Sequence, residues 1–382
     1  MTAELTRKRF VQLAGTAALS MPLLSSSSSD PFVLAPDEMV WARIPGASLA
    51  YITSGAVLAR SFGMRNKAAR QPVTDATIFE AASVSKPVYT YAVMALVREG
   101  KLDLRRPLDD YLEKPYPIAD ERGAKITAHH VMTHTSGLPN WRPHDSGSPT
   151  LSFDPGTQYQ YSGEGYYFLQ TVVEQITGLG TGAFMRGVLD GLGMQRSSYV
   201  WLDSYATDCA APYGSDGAAL TPDTRVMGEQ MVAAGKARGR PFVDWKTAEV
   251  LVQLPRLKPP WQPVPHNAMP NAAWSLLTTA RDLAKFVTTL LRSPDHPMLV
   301  PQIRMKPGIY RGLGIELQID GSRRGFFHTG SNPGFKTVIF GDLATQRGVV
   351  SMCNSVNGFV FDMHVIDDTL GEQPAVFYLE EP

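Results

Sequence analysis

Cysteine is nearly absent: the 382-residue chain has two, Cys209 and Cys353. Two thiols cannot build a disulfide framework, and two free, structural thiols are expected instead. Charge of one sign is missing too, because 36 Lys and Arg balance 36 Asp and Glu. The resulting net charge of zero leaves no basic stripe for nucleic acid or for an anionic membrane surface. After residue 30 no apolar run is long enough to span a bilayer, and no internal repeat is visible. What remains, 43% hydrophobic and 19% charged residues, is ordinary for a globular protein, and the length predicts two or three domains.

The N-terminus departs from this pattern. Thr6-Arg7-Lys8-Arg9-Phe10 precedes an apolar run over 11–24, interrupted by Gly15 and Pro22, and five serines follow at 25–29. Basic, apolar and small segments in that order predict a secretory signal over 1–29. Arg7-Lys8-Arg9-Phe10 resembles a twin-arginine signal with Lys8 in the second arginine's place. Cleavage is expected between Leu24 and Asp30, with no Cys nearby for a lipid anchor. The expected location is the bacterial periplasm or the extracellular space, with no membrane span after signal removal.

Periodicity organises the rest. Residues 30–38 are Pro-containing and linker-like, and the apolar runs 47–52 and 56–62 around Thr53-Ser54-Gly55 predict a hairpin. Over 83–99, Val84, Val88, Tyr91, Ala92, Ala95 and Leu96 recur at helical spacing until Gly100, with Pro87 tolerated in the first turn. The stretch 111–270 is rich in Pro, Gly and His and holds one clear helix, 165–177. Residues 203–270 carry few periodic runs and many prolines (Pro259, Pro260, Pro263, Pro265), which predicts functional loops. An amphipathic helix is expected over 279–292, strands over 312–319, 324–329, 335–342 and 348–353, and a last helix over 356–369. Turns at Asp320-Gly321 and Asn332-Pro333-Gly334 make the strands an antiparallel meander. The expectation is an α+β fold. Its antiparallel sheet is flanked by helices and assembled from both chain ends (30–110 and 271–382). A mostly helical, loop-rich subdomain (111–270) is inserted, with a substrate cleft between the two.

Three short motifs carry chemistry: Ser83-Val84-Ser85-Lys86 at a predicted helix start, Tyr161-Ser162-Gly163, and His328-Thr329-Gly330 on a predicted strand. Ser83 and Lys86, three apart on a helix, share one face. A serine hydroxyl needs a base to take its proton, and lysine serves only when neutral, a form favoured by burial and nearby cations. Tyr161 is the partner base, its phenolate favoured by a charged Lys86; which of the two deprotonates Ser83 stays open, and the pair titrates as one unit. The backbone N–H groups of Ser83 and Ser331 are candidates for an oxyanion hole, where one donor is worth about 10²–10³ in rate. His328 is expected to line the pocket and hold Lys86, Tyr161 or a substrate carboxylate. Gly163, Thr329 and Gly330 are expected to contact substrate, Gly330 by letting its backbone approach the strand.

Blander readings compete with each residue. Ser83 and Lys86 alone read equally as a helix cap and a solvated lysine. Tyr159 and Tyr166 compete with Tyr161, and His328 with a plain strand residue. His130 and His134 have a zinc-like helical spacing, but no adjacent Glu accompanies them, and no metal or cofactor is expected. Trp141, Trp245, Trp261 and Trp274 sit in loop-like stretches and line an acyl pocket or pack in the core.

Together the motifs resemble the class C β-lactamase, D,D-peptidase and carboxylesterase superfamily of serine hydrolases. Supporting likenesses are His134-Thr135-Ser136-Gly137-Leu138-Pro139, Asp154-Pro155-Gly156-Thr157 ahead of Tyr161, Thr278-Thr279-Ala280-Arg281-Asp282-Leu283, the stretch 328–335 and Asn354-Ser355. The resemblance covers roughly residues 40–370 and implies a β-lactamase/transpeptidase-like fold and an acyl-enzyme mechanism. In the family the tyrosine motif usually ends in Asn, whose side chain touches the lysine and the acylamino group of substrates; here Gly163 stands there. His328 stands where classical β-lactamases have Lys. Both departures point to a small ester, ahead of a D-amino-acid peptide or amide and then a β-lactam. A non-catalytic penicillin-binding or sensor module is the competing class. The natural substrate and the oligomeric state are left open.

Overall fold

A computed structural model describes residues 30–53, 56–142, 147–221, 224–263 and 269–375. The expected signal over 1–29, Ser54-Gly55 of the hairpin turn and Pro265 lie outside the described residues. Eleven strands are described: β1 (Gly46–Thr53), β2 (Ala56–Asn66), β3 (Gln71–Pro72), β4 (Phe79–Glu80), β5 (Leu277–Thr278), β6 (Ile303–Lys306), β7 (Ile309–Arg311), β8 (Glu316–Asp320), β9 (Arg323–Asn332), β10 (Phe335–Asp342) and β11 (Arg347–Cys353). Nine form one antiparallel sheet in the order β3-β2-β1-β11-β10-β9-β8-β7-β6, while β4 and β5 pair apart. The first hairpin and the late meander therefore meet at β1–β11, with Ala47 opposite Cys353.

Strand alternation gives the sheet two apolar faces. Ala50, Ile52, Phe326, Ile339, Val350 and Met352 join the core beneath the helices Ser85–Arg98 and Ala280–Leu291. Ala47, Leu49, Phe327, Val338, Phe340 and Val349 face the other way, toward the helices Ala35–Ala42 and Gly358–Leu370. His328 and Gly330, two and four residues beyond Phe326, fall by that period on the face that carries the Ser85–Arg98 helix. Neither cysteine forms a disulfide, and Cys353 is buried in β11.

Several segments differ from the sequence expectation, among them the unforeseen helix Thr181–Gly191 and strand β6, and three others bear on the layers and the site. The linker-like stretch holds the helix Ala35–Ala42, because Ala35, Met39 and Ala42 are buried in the second apolar layer. The loop-like stretch 203–270 contains the helices Thr224–Ala237 and Thr247–Gln253. Only Met227, Met231 and Val250 anchor their inner faces, against Trp201, Tyr205, Phe242 and Trp245, which is too sparse a pattern to read as periodic. The single strand expected over 312–319 divides into a turn, Gly312-Leu313-Gly314-Ile315, and β8, which the turn folds back on β7 as a hairpin. Glycine is needed there: Gly314 has φ +72°, and a Cβ on it would lie 2.1 Å from Thr90 Oγ1. The turn places Arg311 directly opposite Glu316.

Candidate active site

Ser83 sits in a 3-10 turn, Ala82–Val84, that runs straight into the helix Ser85–Arg98. Ala82 is held at φ +48°, a left-handed conformation costing about 1–2 kcal/mol in a non-glycine residue. The neighbours hold it there. Ser85 Oγ donates to the Ala82 carbonyl (2.5 Å) and accepts from Leu276 N–H (2.9 Å), while the Tyr199 hydroxyl donates to the Ser85 carbonyl (2.6 Å). The turn also presses on β9. A Cβ on Gly330 would stand 2.2 Å from the Ala81 carbonyl oxygen. Gly330 therefore admits the serine's own turn, where the sequence reading assigned that space to substrate backbone.

Lys86 is buried, 1% exposed. Its Nζ donates to Ser83 Oγ at 3.0 Å and to the Ala273 carbonyl at 2.9 Å, and lies 4.7 Å from the centre of the Tyr161 ring. Burial pushes this ammonium well below its ordinary value; the Arg311 guanidinium adds to the shift and Glu316 opposes it. Burial moves the Tyr161 phenol the other way, to well above its ordinary value, against a smaller opposing hydrogen bond with Ser83. Burial thus favours the neutral form of each group, and the charged pair raised by the sequence reading is disfavoured by desolvation. Of the competing tyrosines, Tyr159 is 37% exposed and Tyr166 pairs its hydroxyl with Thr90 (3.0 Å).

His134 positions the tyrosine segment. It is fully buried at φ +55°; its Nδ1 accepts from Ser162 N–H (3.1 Å), and its ring lies 4.3 Å from that of Tyr161. His130, the other half of the zinc-like spacing, engages Thr127 instead through Nδ1, accepting from its N–H at 3.3 Å. No group of three His, Cys, Asp or Glu residues suited to a metal occurs among the described residues.

His328 is buried beside this cluster, its Nδ1 2.7 Å from the Thr329 carbonyl. Burial pushes it down to about 4, against Glu316, with Arg311 and Lys86 adding to the fall. At neutral pH it is uncharged, so it offers no cation to a substrate carboxylate, contrary to one role expected for it. Ser331, one residue past Gly330, is exposed and opposite Lys336, whose Nζ donates to its hydroxyl.

Trp141 occupies the place of the missing motif side chain. A Cβ on Gly163 would meet its ring at 2.5 Å, so Gly163 is buried under the indole where substrate contact was expected. Asn140 Oδ1 accepts from Gly163 N–H (2.9 Å). A buried ion pair holds the segment: Arg142 Nε donates to both oxygens of Glu164 (3.1 Å each), which also accepts from the Tyr116 hydroxyl (2.6 Å). Trp245, at 1% exposed, belongs to the core of the helical part. Sequence reasoning missed the Trp141 cover, which joins two separate loop segments, and the Arg311–Glu316 pair, which depends on a turn that the alternating pattern hides.

The β-lactamase family profile matches residues 37–366. The chain belongs to the β-lactamase family. As a family member it is 32% identical over 188 residues to esterase EstB of Burkholderia gladioli, covering 41% of this chain and 48% of the esterase. It is 28% identical to penicillin-binding protein 4* of Bacillus subtilis (strain 168), over 33% of this chain and 31% of that protein. The chain thus spans less than half the length of these curated relatives. Among solved structures it resembles a class C β-lactamase (TM-score 0.69, 19% identity, 92% of this chain and 99% of the other). It also resembles the octameric penicillin-binding protein homologue of Pyrococcus abyssi (TM-score 0.65, 22% identity, 89% and 76%). The fold is β-lactamase/transpeptidase-like, and the family is one of serine hydrolases.

Proposed function

We propose that this β-lactamase-family serine hydrolase cleaves small carboxylic esters through an acyl-enzyme on Ser83. The observation that carries the reading is the 3.0 Å approach of Lys86 Nζ to Ser83 Oγ inside a site whose burial favours the neutral amine. Neutral Lys86 takes the hydroxyl proton as Ser83 Oγ attacks the carbonyl carbon. The N–H groups of Ser83 and Ser331 hold the oxyanion. Tyr161, resting as a phenol over Lys86, passes a proton to the leaving alkoxide. Water then attacks the acyl carbon, gives its proton back through Lys86 and Tyr161, and releases the acid. Gly163 beneath Trp141 and the uncharged His328 support an ester, since neither supplies the polar side chain or the cation that an acylamino or carboxylate group would use. The likeness to an esterase points the same way.

A second reading, D-amino-acid peptidase or amidase, is supported by the likeness to a penicillin-binding protein. Export by the basic-apolar N-terminal segment remains part of the proposal. The test is hydrolysis of a short-chain p-nitrophenyl ester, a D-Ala-D-Ala peptide and a cephalosporin by the wild type and by Ser83→Ala. Ester turnover lost in the variant, with little peptide or cephalosporin cleavage, is expected. Equal ester turnover by Ser83→Ala refutes the mechanism; faster peptide or cephalosporin turnover refutes the substrate order. A stable covalent adduct without turnover favours a sensor.

A further inference from the structure

Arg311 is a cation fully enclosed by the protein: its residue exposure is 0%. It ends β7, and its Nη1 donates to Glu316 Oε1, across the hairpin on β8. A buried ion pair is a poor way to stabilise a core, because the desolvation of both ions offsets their attraction, and apolar replacements are often neutral or better. Its location suggests another use. The β7–β8 turn touches the lysine's own helix at Thr90, one turn after Lys86, which fills the space above Gly314, and it is tied to the neighbouring helix Ala128–Met132 by Gly314 N–H donating to the Met132 carbonyl (2.9 Å). Thr90 Oγ1 lies 3.0 Å from the Tyr166 hydroxyl, and Tyr166 is a second ring under Lys86 Nζ (5.8 Å). On its far side Glu316 Oε2 stands 4.0 Å from His328 Nε2, and neither atom has a hydrogen-bond partner among the described residues.

The charged and titratable groups that face Lys86 come from every surrounding element. Ser83 lies on its own turn, His134 and Tyr161 in the segments before the helix Gly163–Thr177, and Tyr166 on that helix; Arg311 and Glu316 come from the hairpin and His328 from β9. Of these groups Arg311 and Glu316 form the ion pair, and they act on Lys86 with opposite sign. The field of Arg311 also reaches Tyr159, Tyr166 and Tyr161.

We propose that Arg311 and Glu316 are positioning residues for the reaction: the buried pair on the β7–β8 hairpin sets the field in which Lys86 accepts the serine's proton, Arg311 opposing a charge on Lys86 and Glu316 partly offsetting that effect. The inference rests on Ser83 being the nucleophile, and its test separates the two claims. A fluorophosphonate reports serine activation without needing deacylation: Ser83 Oγ forms an O–P bond, fluoride leaves and the hydroxyl proton goes to the base. The labelling rate is measured against pH for the wild type, Arg311→Met, Glu316→Gln and the double variant. The acid limb reports protonation of the base. Removing the cation moves the limb to higher pH, and removing the carboxylate moves it to lower pH. On that limb a one-unit displacement is about a tenfold change in rate at fixed pH. The double variant moves upward by less than Arg311→Met, since Arg311 acts more strongly on Lys86 than Glu316 does. It also melts close to the wild type, so it carries the test where the orphaned charge of a single variant prevents folding. Limbs that coincide, or that move in the same direction for both single variants, overturn this inference alone. Failure of the wild type to label at any pH overturns it together with the nucleophile assignment.

Discussion

Replacing Gly330 by alanine tests whether the serine's turn is held in place by strand β9. The new Cβ would lie 2.2 Å from the Ala81 carbonyl oxygen and 3.2 Å from Ala82 Cβ, where ordinary contacts begin at 3.4 Å. Both neighbours belong to a backbone turn with little freedom: Ala81 N–H is bonded to the Leu276 carbonyl (2.8 Å), and Ala82 already sits at φ +48°. Relief therefore requires the turn and the strand to separate by the difference between 3.4 and 2.2 Å, 1.2 Å. Overpacking of this kind costs about 1–3 kcal/mol. A displacement of roughly 1 Å in a reacting group costs about 10²-fold in rate. Ser83 is two residues from Ala81, so Gly330→Ala is expected to lower ester kcat/KM and the fluorophosphonate labelling rate about a hundredfold, with a melting temperature lower by a few degrees. Gly341→Ala is the control. Its Cβ would meet the Phe326 ring at 2.3 Å, on the same sheet but away from the serine turn. It should lower the melting temperature and leave labelling nearly unchanged. A Gly330→Ala protein that labels within threefold of the wild type refutes the reasoning, as does a control that loses activity equally.

Two further outcomes follow from contacts elsewhere. Gly163→Asn would drive a side chain into the Trp141 ring, 2.5 Å from the added Cβ, and should destabilise by about 1–3 kcal/mol; Trp141→Ala in the same chain should return most of it, read as a melting-temperature double-mutant cycle. Additive losses would exclude the contact. Asp362 is buried on the helix Gly358–Leu370, and burial pushes its carboxyl up to about 7, against hydrogen bonds with Ser351 and Cys353 and the charge of Lys336. The folded state thus binds the proton more tightly than the unfolded chain, whose carboxyl titrates near 3.8, so stability present below that value is lost as pH rises toward 7. Asp362→Asn should accordingly melt above the wild type at pH 8, with the advantage shrinking toward pH 4. The opposite trend would contradict the sign.

The strand pattern was legible because β9, β10 and β11 are apolar on both faces or alternate cleanly, and the turns between them carry Gly, Asn and Asp. The helix Gly163–Thr177 was legible for a similar reason, with Gly178 at φ +70° as its stop. The helices of 203–270 were not, since Met227 and Met231 alone cannot mark an apolar stripe among glycines and charges. Nor was the β7–β8 hairpin, where Leu313, Ile315 and Leu317 read as one alternating strand and hide the turn set by Gly312 and Gly314. Of the site, the sequence named Ser83, Lys86, Tyr161 and His328, and the structure brings these four together. It did not reveal what their burial does to them.

That burial decides the chemistry available. Short motifs encode which groups can titrate, but the state each rests in is set by the groups that exclude water and by the fixed charges behind them. Burial by the Ala273 carbonyl, His134, Tyr166 and the β7–β8 hairpin favours the neutral forms of Tyr161 and Lys86, and Ala273 lies 187 residues along the chain from the lysine it bonds. His328 shows the same dependence. On an exposed strand it would titrate near 6.5 and offer a cation to substrate about a quarter of the time at pH 7; enclosed beside Arg311 it falls to about 4 and becomes a neutral wall. A site in which burial disfavours charge on the lysine, the tyrosine and the histidine suits a substrate that brings no charge of its own, and that is the physical ground for proposing a simple ester.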